Sequence, residues 1–500
     1  SSSCILPFSD RMGEGMETTI HNDEETKDLI NTQDLSQNQQ SGTPLPSSSF
    51  SSYLPHSSNS SLRWFRLFFV LLFLVAILFI TDRKELLPRD ANSGNSQPKY
   101  TKEEIRAQRL QLMTRYSFSN PSAINYTSLV QDLGLARVFS PKFQSSSSES
   151  SRDSIPPWCT YDEEHPSNEI AGPILNRTAY TSGILYNKMP KAASSTLSGI
   201  VLRIAHNVAK RLGAEHPCTS FEHHIEAAGN VHRLFKDRDV HKSFLFSSVR
   251  DPADQAMSHI YFRHISRRNK IPSDENMMFF LMDSDHQNGV VSPGLGGFQI
   301  AYLTFAKLTK FYAWNRFNPT RVAQPIHVHN VIQAIMETYD FFISVERFDE
   351  SLVALQLLLG LETSDILYLS SKAAGGSYSY RNGKGCFFLL KPNASDAVAA
   401  YLASDEWYAK QYGDYVLVEV VKQSLDLTIA YLGEDRFDQA LKKFRAMKRD
   451  GEGECADKAK FPCSDEGEEQ MEAAEESCYS NDWGCGYACL DSLTPDDIPS

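Results

Sequence analysis

Two short segments of this 500-residue chain combine the residue types that bind anions. The first is Pro190-Lys191-Ala192-Ala193-Ser194-Ser195-Thr196. It follows an apolar run of strand length, Ile184 to Asn187, and precedes a stretch in which Leu197, Ile200, Val201, Ile204, Ala205 and Val208 recur at helical spacing. A strand, a loop holding a lysine among small residues, and a hydroxyl-rich helix start describe a phosphate cradle. The first N–H groups of a helix lack intrahelical partners, and the helix dipole is positive at that end. An ordinary strand-to-helix turn with Ser194 as N-cap accounts for the same residues about as well. The nucleoside-triphosphatase loop GxxxxGK[ST] is excluded, because the lysine precedes the serines and both glycines are missing. ATP hydrolysis is therefore disfavoured.

The second segment is Phe244 to Val249, a strand pattern, followed by Arg250-Asp251-Pro252. Asp251 suits a helix N-cap and Pro252 the first helical position. Arg250 then stands at a strand's carboxyl end, where open α/β sheets collect ligands, and a guanidinium fork grips phosphate oxygens in a bidentate manner. Ser258 follows eight residues later. Alone, this segment also reads as a helix start beside a surface arginine.

Taken together, the two segments resemble the membrane-anchored Golgi carbohydrate sulfotransferases, in particular the group containing heparan sulfate 2-O-sulfotransferase and the galactose 3-O-sulfotransferases. Tyr186-Asn187-Lys188-Met189-Pro190-Lys191-Ala192-Ala193-Ser194-Ser195-Thr196 resembles that family's 5'-phosphosulfate loop. Val249-Arg250-Asp251-Pro252 with Ser258 resembles its 3'-phosphate motif. A weaker likeness runs through Phe342-Ile343-Ser344-Val345-Glu346-Arg347-Phe348, the amphipathic segment SLVALQLLLG and Ser404-Asp405-Glu406-Trp407-Tyr408, so the similarity covers roughly residues 183 to 447. The resemblance implies a P-loop-like α/β sulfotransferase fold with 3'-phosphoadenylyl sulfate as donor and no metal. It implies that Lys191 lies against the bridging and sulfuryl oxygens, that the loop from Lys191 through Ala192, Ala193, Ser194 and Ser195 to Thr196 binds the 5'-phosphate, and that Arg250 and Ser258 hold the 3'-phosphate. A glycine-rich stretch from Ala373 to Gly385 carries Arg381 and Lys384. In the family a late loop of this kind closes over the nucleotide, which makes both cations candidates for donor contacts, although a surface hairpin has the same composition.

Sulfuryl transfer to an alcohol needs a proton acceptor, and histidine suits that role near neutral pH. Eleven histidines lie between residues 179 and 450. His224, in Phe221-Glu222-His223-His224-Ile225 ahead of the Arg250 strand, matches the family's His followed by an apolar residue and is the favoured base, with His223 next and Glu222 as a fallback. His327-Val328-His329 places two imidazoles on one face of an expected strand, too few ligands to make a metal site the favoured reading. The cluster Arg263, His264, Arg267, Arg268 and Lys270 suits an acidic glycan or simply a solvated helix end. Two other functions compete with sulfuryl transfer: a P-loop-type nucleotide phosphotransferase, and a catalytically inactive glycan-binding protein of the same fold.

The elements that carry these segments can be read from the wider pattern. Apolar runs alternating with helical patterns from Gly183 to about Met447 argue for an α/β architecture with a mostly parallel central sheet flanked by helices. We expect a catalytic domain at 179–450, preceded by a disordered cytosolic tail at 1–61, a single transmembrane signal anchor at 62–81 and a stem at 82–178, and followed by an acidic, cysteine-rich tail at 451–500. Charge divides accordingly: residues 1–61 carry 8 acidic and 2 basic groups, residues 451–500 carry 14 and 2, and the rest carry 40 and 45. The overall charge of -13 thus belongs to the tails, and the middle is +5, which permits an anionic donor. Eight of the nine cysteines follow residue 100, an even number that favours disulfides in an oxidising compartment over metal. Those eight cysteines and the sequons at Asn125, Asn176 and Asn393 all follow the anchor, so we expect a single-pass type II Golgi membrane protein with a lumenal catalytic domain. The expected partners are a glycan or glycoconjugate acceptor and the membrane, with no nucleic acid. Oligomeric state is left open by the sequence.

Overall fold

A computed structural model of the chain describes residues 120–143, 155–160, 181–222, 224, 234–235, 237–282, 296–304, 325–369, 377–379, 385–456, 463 and 487–492. All of these belong to one compact unit, Ser96–Ser500; a second unit, Ser1–Asn95, lies outside the described residues, as does the expected anchor at 62–81. Among the described residues no helix is long and apolar enough to cross a membrane.

The central sheet has four strands, β1 (Gly183–Asn187), β2 (Ser220–Phe221), β3 (Ser243–Val249) and β4 (Phe341–Ser344), in the order β2-β1-β3-β4 with every pairing parallel. Every residue of β1, β3 and β4 is buried. Parallel strands covered by helices on both faces read as unbroken apolar runs, which is why the sequence shows runs here and no alternation. The expected α/β sheet flanked by helices is therefore present. From β1 the chain passes to β2 on one side and then to β3 on the other. This reversal makes a switch point between β1 and β3, and it is outside the carboxyl ends of strands at such points that open α/β sheets collect ligands.

Helix α1 (Tyr126–Leu133) precedes the sheet and packs on the later helix α10 (Tyr412–Leu432), while the backbone of Arg137 and Phe139 bonds to the Ser424 and Thr428 hydroxyls. Helix α2 (Ser194–Arg211) joins β1 to β2 and buries the expected stripe, together with Ser198, Leu202 and Arg203. Arg203 is buried because its guanidinium donates to the carbonyls of Ser364 and Leu367 and pairs with Asp491 at 2.7 Å. Between β3 and β4 lie α3 (Pro252–Ile260), α4 (Asp274–Met282), α5 (Phe298–Leu303) and α6 (Pro325–Thr338). The segment expected to form an amphipathic helix is α7 (Phe348–Leu359), and it is buried on nearly every side. It packs against β4, α10 and α11 (Glu434–Cys455), so no face is left for solvent.

His327 and His329 require a correction, since they lie in α6 and not in a strand. Residues two apart on a helix point to nearly opposite sides. His327 is exposed, while His329 is buried with Nε2 at 2.7 Å from the Tyr412 hydroxyl.

Among the described residues three disulfides are formed, Cys159–Cys218, Cys386–Cys463 and Cys455–Cys489. The last two tie the residues beyond 450 to β6 (Cys386–Phe388), which pairs antiparallel with β5 (Ser377–Ser379), and to the end of α11. Helix α11 itself runs across residue 450.

Gly183 opens β1 with φ +100°, and a Cβ there would lie 2.3 Å from the Thr219 carbonyl oxygen. Only glycine takes this conformation without strain. Gly183→Ala is expected to lower the unfolding free energy by more than about 1 kcal/mol, read by chemical denaturation with an unchanged m-value. An unchanged midpoint would contradict this account of the β1 start.

Candidate functional site

The phosphate-loop segment leaves β1 at Lys188 and enters α2 at Ser194. The backbone corrects the N-cap expected at Ser194: the cap position is Ala193, with φ +56°, and no side chain caps the helix. Lys191 is left-handed as well, with φ +61°. Left-handed backbone costs a residue with a Cβ roughly 1–2 kcal/mol. Two such residues fall within three positions, and the N–H of Ala192 between them donates to the Met189 carbonyl at 3.4 Å. The loop is pinned to its neighbours by the Ser248 hydroxyl donating to the Ala192 carbonyl at 2.8 Å and by the Gln255 amide donating to the Pro190 carbonyl at 3.1 Å.

Arg250 stands at the carboxyl end of β3, half-buried, with its Nη1 donating to the Lys191 carbonyl at 3.3 Å and Asp254 at 3.7 Å from Nη2. Asp251 caps α3 as expected, accepting from the N–H groups of Ala253 and Asp254, and Pro252 is the first helical residue. Burial and the Arg250 guanidinium, in that order, push the Lys191 ammonium down to about 8. Two cations thus repel each other across the switch point. An anion bound between them would relieve that repulsion.

Ser258 lies half-buried in the second turn of α3. Gln255 of α3 and Phe262 of the π-helical turn that follows it (Tyr261–Ile265) both meet the loop: Gln255 through Pro190, and Phe262 by holding the Lys191 ammonium 3.9 Å from its ring centroid. The Phe262 ring also packs edge-on against Phe387 of β6, with centroids 5.8 Å apart.

His224, just past β2, is brought to the carboxyl end of β1, where its Nδ1 lies 2.7 Å from the Lys188 carbonyl oxygen. A carbonyl only accepts, so Nδ1 carries the hydrogen and the neutral ring has its basic lone pair on Nε2. The same carbonyl accepts from the Tyr302 hydroxyl at 3.1 Å. Lys188 and Glu222 are both buried beside this histidine. Burial lowers the lysine and raises the glutamate, and each charge offsets part of that cost for the other. His223, Arg381 and Lys384 lie outside the described residues. Within the expected basic cluster, His264 is buried and stacked on Phe280 with centroids 4.2 Å apart, whereas Arg263, Arg268 and Lys270 are exposed. His264 therefore belongs to the core and not to a surface that meets ligands. Among the described residues no group of three or more His, Cys, Asp or Glu is arranged to hold a metal ion.

Residues with no chemical motif also reach the site. Gln299 bonds both peptide groups of Arg250, Tyr302 reaches Lys188, and Glu346 accepts from the Asp251 N–H at 2.6 Å. Glu346 falls within the segment that carries the weaker family likeness, but nothing about Gln299 or Tyr302 in the sequence separates them from ordinary helix residues. No protein-family model matches the chain, and no match is found among curated proteins or solved structures.

The Lys191 shift yields a pH dependence with a definite sign. Below about 8 the ammonium is charged before an anion arrives; above 8 a proton must be taken up on binding, because the complex holds Lys191 charged. Binding of a phosphate anion between the two cations, probed with 3'-phosphoadenosine 5'-phosphate, should therefore weaken above about pH 8. Calorimetry across that range on wild type and Lys191→Met should show this step in wild type alone. The same step in both proteins would assign it to another group.

Proposed function

We propose that the chain is a carbohydrate sulfotransferase that moves a sulfuryl group from 3'-phosphoadenylyl sulfate to a sugar hydroxyl, working as a single-pass type II Golgi membrane protein with its catalytic domain in the lumen. The observation that carries this reading is the pair of mutually repelling cations, Lys191 and Arg250, set at the carboxyl ends of adjacent parallel strands above the start of α2. A donor with phosphates at both its 5' and 3' positions has separate anionic groups for the two motifs. The three disulfides support an oxidising compartment.

In this reading the N–H groups at the start of α2, together with the Ser194, Ser195 and Thr196 hydroxyls, hold the 5'-phosphate. Arg250 and Ser258 hold the 3'-phosphate, and Lys191 leaves the Phe262 ring to meet the bridging and sulfuryl oxygens. A cation–π contact is worth about 0.5–2 kcal/mol, less than an ammonium gains from a charged oxygen in a dry site, so the exchange is downhill. The acceptor oxygen attacks sulfur in line with the departing phosphate oxygen. The new O–S bond forms as the old one breaks, and 3'-phosphoadenosine 5'-phosphate leaves. Lys191 neutralises charge that grows on the bridging oxygen during this step, which makes it a transition-state group. His224 Nε2 takes the acceptor proton. Its tautomer is already set by the Lys188 carbonyl, so no rearrangement precedes proton transfer.

The test is transfer of labelled sulfate from the donor to a panel of glycans by the fragment that follows the anchor. Lys191→Ala should reduce kcat by about 10²-fold or more, and His224→Ala by about 10²–10⁴-fold with donor affinity retained. Label passing from ATP and not from the sulfate donor would replace this reading with phosphotransfer. Tight donor-product binding with no transfer to any acceptor would favour an inactive binding protein.

A further inference from the structure

We propose that α5 is a positioning element for the donor site, and that Gln299 fixes the direction of Arg250 by pairing with its peptide groups. This rests on the donor reading above and adds to it a residue that touches no ligand.

The β3–β4 ladder ends at the pair Val249 and Ser344, one residue short of Arg250. The backbone of Arg250 is thus neither strand nor helix, yet it aims the guanidinium. Gln299 Oε1 accepts from the Arg250 N–H at 2.9 Å, and Gln299 Nε2 donates to the Arg250 carbonyl at 2.7 Å. A primary amide side chain offers a donor and an acceptor side by side, as the backbone of a neighbouring strand does. Gln299 therefore extends the hydrogen-bonding pattern of β3 by one residue beyond the sheet. It is completely buried, so the two peptide groups would have no water to replace it.

The glutamine is itself held from a distant element. Asp414, buried in α10, accepts from the N–H groups of Gln299 at 2.9 Å and Ile300 at 2.8 Å, placing a carboxylate at the start of α5. Its carboxylate fits because Gly297 has no side chain: a Cβ there would lie 2.1 Å from the Asp414 carboxyl carbon. Three residues after Gln299, Tyr302 donates to the Lys188 carbonyl that also holds His224. One short helix thereby touches the ends of β3 and β1, the two strands that present the cations.

A glutamine that only satisfied buried peptide groups would affect every ligand alike, whereas one that aims Arg250 affects the ligand bearing a 3'-phosphate. The test measures calorimetric affinities of 3'-phosphoadenosine 5'-phosphate and of adenosine 5'-phosphate, which lacks the 3'-phosphate, for wild type, Gln299→Leu and Gln299→Glu. Both variants should bind the bisphosphate at least 10-fold more weakly and the monophosphate within 2-fold of wild type. In turnover, the donor KM should rise with kcat little changed. Gln299→Glu is nearly isosteric and keeps the acceptor for the Arg250 N–H while, when ionised, replacing the donor to the Arg250 carbonyl with a second, charged acceptor, so it carries the test if the leucine variant fails to fold. Equal weakening for both ligands, or no weakening, would overturn the positioning role while leaving the donor reading intact. Wild-type protein that binds neither nucleotide would overturn the donor reading and this inference with it.

Discussion

Repulsion between Lys191 and Arg250 is the constraint around which the site is arranged. Burial and the neighbouring guanidinium, in that order, both weaken the hold of Lys191 on its proton. What keeps the two cations together is the parallel pairing of β1 with β3, in register from Gly183 opposite Ser243 to Asn187 opposite Ser247. That register brings the Lys191 loop and Arg250 out of the sheet side by side. The strands are buried over their whole length, so a slip in register would also displace apolar core residues. Hydrophobic packing of the sheet thus supplies the free energy that holds like charges near each other.

The loop stores further strain in its backbone. Lys191 and Ala193 occupy left-handed conformations without being glycine, and Ser248, Gln255 and Arg250 hold the loop in that shape. A glycine-rich loop would reach the same shape with less strain but more freedom to leave it. On the proposed function, the loop is shaped before any ligand arrives, which lowers the ordering cost of binding. The ammonium resting on Phe262 fits the same logic, since the aromatic face holds the cation near its place of use without neutralising it.

Much of the support comes from far along the chain. Glu346 and Gln299 secure the Arg250–Asp251 turn, and Asp414 secures Gln299. The Cys386–Cys463 disulfide ties the strand whose Phe387 packs on Phe262 to a residue of the acidic tail. The Asp491 carboxylate of that tail pairs with Arg203 on the helix that follows the phosphate loop. The negative tail is thus attached, at Asp491, to the basic middle of the chain.

Sequence alone determined what is local. The runs that became β1 and β3, the Asp251 cap with Pro252 behind it, and the apolar stripe of α2 were legible because strand burial, capping and helical period act over a few neighbouring residues. The positions of Lys191 and Arg250 after two such strands were legible for the same reason. Tertiary structure decided the rest. It made Ala193 and not Ser194 the cap, because ties from β3 and α3 force the loop into left-handed turns that no nearest-neighbour preference favours. It put His327 and His329 on opposite sides of a helix, and it buried α7 on nearly all sides between elements more than sixty residues apart in the chain. Above all it brought Gln299 and Asp414 to the back of Arg250. A buried peptide group must find a partner wherever packing supplies one, and a sequence does not record which distant side chain that will be.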